Sequence, residues 1–180
     1  YHMTCRGSRF ADGAERNPDG QVFMKNRETD EWLTQNQKST REFIRKWGHF
    51  CKHDALMKPI VPPKYDIGFI VKNCNDQLLE SLEPWCSNIY TDSEYITYQQ
   101  RESTKTSYDL TKRVKPYDNE KNNEILIEID GSNLSQQDFQ IIQQLPEIVQ
   151  DSGEIGTFEL GNIKVTINNI KDYSKDLIFL

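Results

Sequence analysis

The sequence predicts an α/β chain: an irregular, basic N-terminal segment with one amphipathic helix, then a small mixed-sheet domain over residues 65–180. Three observations predict it. The apolar run Asp66-Ile67-Gly68-Phe69-Ile70-Val71 is followed by a helical stretch and a second apolar run at Ile89-Tyr90, the order of a parallel strand–helix–strand unit. Residues 124–130 alternate apolar and polar side chains with the period of a half-buried strand. Pro59, Pro62 and Pro63 mark a change of grammar between the two parts, because proline removes backbone donors and holds the chain extended.

Taken in order, residues 1–31 are polar and punctuated by Gly7, Gly13, Pro18 and Gly20, which predicts one short strand among loops. A short helix is expected around Trp32 and Leu33. A second is expected from Ser39, whose spacing to Glu42 is that of a capping box. Phe43, Ile44, Trp47 and Phe50 share one face of that helix, with Arg41, Arg45 and Lys46 around the rest and Gly48 at or near its end. Residues 54–65 read as a linker or a strap. After the strand at Asp66, Asn75 or Asp76 caps a helix carrying Leu78, Leu79 and Leu82 and stopped by Pro84. Tyr95-Ile96-Thr97-Tyr98 reads as a strand, Tyr108 to Val114 as a short helix, and Asn119 to Asn123 as a loop. Ser135 starts a helix with Phe139, Ile142, Leu145 and Val149 on one face, kinked at Pro146 and ended by Gly153. Two strands then flank Gly161-Asn162, a good hairpin turn, and a short helix follows near Lys171.

The chain has 180 residues, 36% hydrophobic and 28% charged, enough to bury a core without a disulfide or metal staple. Charge is unevenly spread: residues 1–64 carry 12 Lys and Arg against 8 Asp and Glu, whereas residues 65–180 carry 10 against 20. The acidic remainder argues against a nucleic-acid surface, which needs clustered cations. No run is long enough to span a membrane and no leader pattern is evident, so the cytosol is the expected compartment. Cys5, Cys51, Cys74 and Cys86 form no C-x-x-C pair and read as reduced thiols.

Chemistry-bearing patterns are few. If the helix passes Gly48, His49 and His53 stand one turn apart with Cys51 between them, a zinc-ligand spacing, although the glutamate beside the first histidine of a metalloprotease is replaced by Phe50. The carboxylate pairs Glu80/Glu83, Glu128/Asp130 and Asp172/Asp176 fit a solvated surface better than a hydrolytic cleft. The loop Lys72-Asn73-Cys74-Asn75 has no glycine cradle for phosphate, and neither a nucleotide-binding glycine motif nor Asp-x-Asp occurs. The front segment is denser: His2 is a metal-competent imidazole, Arg6 and Arg9 with Ser8 are phosphate-competent, and Gly7 permits close backbone approach.

The order His2-x-x-x-x-Gly7-Ser8-Arg9 with Arg6, then Asn36 with Ser39, then Phe43-Ile44-Arg45-Lys46-Trp47-Gly48 and a proline-rich exit resembles the tail of family 2 glycosyltransferases of bacterial and phage type. The likeness covers residues 1–64. It implies a GT-A-type nucleotide-sugar enzyme, with His2 as a ligand to the metal–diphosphate of the donor and Arg6, Ser8 and Arg9 as contacts to the diphosphate or acceptor. It also implies Mn or Mg as cofactor of the complete enzyme, Trp47 in a structural role, and a glycan or protein acceptor. The strands that bind the donor, Asp-x-Asp and the catalytic base would lie upstream of Tyr1. The expectation is therefore a C-terminal piece, inactive and metal-free alone, with residues 65–180 as an appended module for acceptor or partner binding. Tyr90, Tyr95, Tyr98 and Tyr108 are its candidate glycan platform. The alternatives are a stand-alone, non-enzymatic interaction domain and, behind it, a small zinc protein using His49, Cys51 and His53.

Overall fold

In a computed structural model, residues 15–16, 22–23 and 29–177 are described. The chain divides into two compact units, Tyr1–Ser39 and Thr40–Leu180. Within the first, β1 (Glu15–Arg16) pairs antiparallel with β2 (Val22–Phe23). Helix α1 (Asp30–Trp47) is one continuous helix where two were expected. No glycine or proline interrupts residues 30–47, so the good helix formers simply join. Ser39 is thus mid-helix, where its hydroxyl accepts from Gln35 Nε2 at 3.3 Å instead of capping. Gly48 ends the helix at φ +79°, a conformation that glycine adopts without strain.

The expected strap is instead a small ribbon: β3 (Lys52–His53) pairs antiparallel with β4 (Pro59–Ile60). Asp54 makes its turn by accepting the backbone N–H groups of Leu56 and Lys58, each at 2.8 Å.

The main sheet has six strands: β5 (Ile67–Lys72), β6 (Asn88–Thr91), β7 (Val114–Pro116), β8 (Ile125–Asp130), β9 (Gly156–Leu160) and β10 (Ile163–Ile167), in the order β7-β6-β5-β8-β10-β9. The first four are mutually parallel, and β10 runs antiparallel between β8 and β9. The expected strand–helix–strand unit is β5, α2 (Asp76–Leu82), β6; Asn75 caps α2 by accepting Leu78 N–H at 2.8 Å. Tyr95 to Tyr98 is not a strand: α3 (Ile96–Ser103) occupies it, because Tyr98 has to reach a buried carboxylate at helical spacing from Glu102. Short helix α4 (Leu110–Arg113) runs directly into β7. Helix α5 (Gln136–Ser152) has a full Ser135/Asp138 capping box, continues through buried Pro146 and ends at Gly153 with φ +60°.

All the packed helices cover one face. Leu79, Leu82, Tyr98, Leu110, Ile142, Leu145 and Val149 form a single buried cluster with Ile67, Phe69, Val71, Ile89, Val114, Ile127, Ile163 and Val165 of the sheet. Strand side chains alternate, so the positions between these point the other way. That second face carries Ile70, Lys72, Glu128, Glu159 and Lys164, all exposed or half-buried, beside buried Tyr90.

The residues of α1 from Thr40 onward join this unit through charge. Arg45, placed by the sequence on the polar rest of the helix, is 2% exposed. Its guanidinium donates to Glu83 Oε2 at 2.6 Å and Glu102 Oε1 at 2.6 Å. Arg113 donates to Glu83 Oε1 at 2.5 Å, Arg41 to Glu102 Oε1 at 2.8 Å, and Tyr98 hydroxyl to Glu83 Oε2 at 2.9 Å. Three arginines thus face Glu42, Glu83 and Glu102, so the buried group is electrically balanced.

Candidate functional site

His2, Arg6, Ser8 and Arg9 lie outside the described residues. The remaining expectations are placed as follows. His49 is buried, with Nδ1 2.6 Å from Phe50 O, whereas His53 is exposed on β3 with Nδ1 2.9 Å from Asp54 O. The helix stops at Gly48, so the two histidines never share a helical face. Among the described residues no group of three or more His, Cys, Asp or Glu is arranged to hold a metal ion. The tyrosine platform is also dispersed. Tyr90 and Tyr98 are 1% and 0% exposed, and their hydroxyls serve Asn123 and Glu83.

In open α/β sheets, ligands favour the crevice at the carboxyl ends of the strands where strand order reverses. Here that point lies between β5 and β8. It is filled from within. Asp92, following β6, accepts the backbone N–H groups of Asn73 at 3.0 Å and Cys74 at 3.4 Å. These are the donors a phosphate would use in a nucleotide fold, and a carboxylate already holds them. Asn73 itself is left-handed at φ +51° and donates its amide to Asp130 at 2.9 Å. Gly131 closes the gap: its N–H donates to Lys72 O at 2.9 Å, and a Cβ there would stand 2.6 Å from Asn73 O.

The uncovered sheet face, by contrast, carries open space. A crevice of about 340 Å³ is lined by Ile70, Lys72, Tyr117, Glu128, Asp130, Glu159 and Lys164, with the Gly161-Asn162 turn at its rim. The register explains the gathering: Ile70 pairs with Glu128, Glu128 with Lys164, and Lys164 with Glu159, so four neighbouring strands present one row. Lys164 Nζ is bonded to Glu128 Oε1 at 2.6 Å. Lys72 Nζ stands 5.8 Å from the Tyr117 ring. The rim is rigid, because Asp138 accepts Asn162 N–H at 2.9 Å and Ser135 N–H at 2.8 Å, and these bonds hold its carboxyl well below the usual range. Asp130 is likewise lowered, by its bonds from Asn73 and Ser132.

Of this crevice, the sequence marks Glu128 and Asp130 as a surface pair, Lys72 as the start of a loop without a glycine cradle and Gly161-Asn162 as a turn, but not their gathering. The available signal was that the polar positions of the alternating strands all belong to one face, but which strands are neighbours is not written in the pattern. No protein-family model matches the chain, and no curated protein or solved structure was found similar to it. No helix among the described residues is long and apolar enough to cross a membrane.

Proposed function

We propose that the chain is the C-terminal part of a nucleotide-sugar-dependent glycosyltransferase of the GT-A type. In this reading His2 joins the metal–diphosphate of the donor, and Arg6, Ser8 and Arg9 contact the diphosphate or the acceptor. Residues 65–180 form an accessory module that engages acceptor or partner, not donor. The observation that carries this division is Asp92: with its carboxylate on the Asn73 and Cys74 N–H groups, a donor phosphate would meet negative charge where a nucleotide fold offers free donors. The divalent metal would supply charge neutralisation to the diphosphate in the complete enzyme. Its carboxylate ligands are not assembled among the described residues.

Calorimetry with a UDP-sugar and Mn²⁺ tests this on the chain as it stands. Weak or absent binding is expected, and tight binding overturns the division. A second reading, a stand-alone non-enzymatic binding module, is favoured by the closed core of residues 40–177. Genomic DNA separates the two: an in-frame α/β domain with Asp-x-Asp before Tyr1 supports the transferase, and a product starting at Met3 supports the module.

A further inference from the structure

We propose that the crevice on the uncovered sheet face is a binding subsite for a neutral saccharide. Calling that saccharide the acceptor rests on the transferase reading; the site itself does not. At about 340 Å³ the space lies at the small end of the usual range for small-molecule sites, about 300–1,000 Å³.

The floor is mixed. Half-buried Ile70 gives it a small apolar patch, and the Tyr117 ring stands at one side. Against these stand groups of both hydrogen-bonding polarities. Among the described residues, the Glu159 carboxylate, the Tyr117 hydroxyl and the Lys72 ammonium make no hydrogen bond, though Lys72 stands over the Tyr117 ring. A carboxylate accepts only, an ammonium donates only, and a phenol does both. A sugar hydroxyl, which also does both, matches that set, and its C–H face matches the apolar floor.

Charge selects further. Lys164 is neutralised by Glu128 at 2.6 Å. That leaves Asp130 and Glu159 against Lys72 and against Lys121, whose Nζ stands 5.1 Å from the Tyr117 ring, so the charges at the crevice nearly balance and suit a neutral ligand. The site is also prepared in advance. Apart from Tyr117, which follows β7, its side chains stand on four paired strands, and Asp138 pins the turn at its rim, so little ordering is left for the ligand to drive.

The test is an NMR titration of the full chain with a panel of neutral methyl glycosides, an amino sugar and inorganic phosphate, read at assigned amides. At least one neutral glycoside is expected to shift residues 72, 117, 128, 159 and 164 together. Glu159→Gln and Tyr117→Ala should each weaken that binding about tenfold or more, with unchanged thermal melting, since neither side chain holds the core. No shift from any neutral glycoside overturns the proposal. Shifts from phosphate or the amino sugar alone, or shifts elsewhere on the chain, also overturn it. Neutral-sugar binding here without a transferase domain upstream keeps the site and removes the transferase. A transferase domain upstream without sugar shifts here does the reverse.

Discussion

Replacing Glu83 by glutamine tests what holds the Thr40–Trp47 part of α1 to the sheet. Glu83 is fully buried, and burial alone would raise its pKa. The charge of Arg113, the hydrogen bonds and charge of Arg45 and the bond from Arg113 outweigh burial and hold it down at about 2, against an ordinary 4.5. That difference corresponds to about 3 kcal/mol of folding stability at neutral pH. The lowered pKa fixes the sign: the contribution is present above 4.5 and is lost as pH falls toward 2. Glu83→Gln keeps the shape but leaves Arg45 and Arg113 without a full counter-charge in the interior, where breaking a buried pair costs about 3–5 kcal/mol. Against the about 5–15 kcal/mol of an ordinary domain, that is a severe loss. Urea unfolding of wild type, Glu83→Gln, Arg45→Met and the Arg45→Met/Glu83→Gln double variant closes a thermodynamic cycle. The double variant should be more stable than the sum of the single losses requires. A loss below about 1 kcal/mol in Glu83→Gln, with additive singles, would refute the network as an energetic unit.

Four further outcomes follow from the same geometry. Gly131→Ala sets a methyl 2.6 Å from Asn73 O and Leu78 Cδ2, so backbone must move; a loss of about 1–3 kcal/mol and shifted Asn73 and Asp92 resonances are expected. Burial pulls the His49 pKa below 6.5, so the unfolded chain protonates first and stability declines as pH falls through 6.5; His49→Asn should lack this part of the urea-midpoint profile. Cys86 is buried, and its thiol is pushed up to about 12 by desolvation, so an aromatic disulfide reagent should label exposed Cys51 in the native protein and Cys86 only after unfolding. Tyr98→Phe removes the hydroxyl that donates to Glu83 and accepts from Arg41, with an expected loss of about 1–3 kcal/mol by denaturant titration.

Much of the fold is legible in local pattern. The buried strand at β5, the caps at Asn75 and Ser135, the alternation of β8 and the Gly161-Asn162 turn each have a short-range cause: hydrophobic period, a side chain that satisfies a free N–H, or a backbone only glycine takes easily. Tyr95 to Tyr98 misleads because its β-favouring residues are overruled by a buried partner, Glu83, that lies well before them in the chain. The break between two expected helices misleads for a related reason, since a capping-box spacing at Ser39 signals a start only where the preceding residues are not already helical.

The sequence by itself determined the α/β class, the parallel unit, most element ends and the absence of a glycine cradle after β5, all consequences of neighbours a few residues apart. Only the tertiary structure decided that Arg45 is interior, that His49 and His53 part company, that Asp92 fills the phosphate position, and that Lys72, Tyr117, Glu128 and Glu159 share one crevice. Those facts depend on which strands lie side by side and which charges meet across long loops, and no period along the chain encodes that pairing.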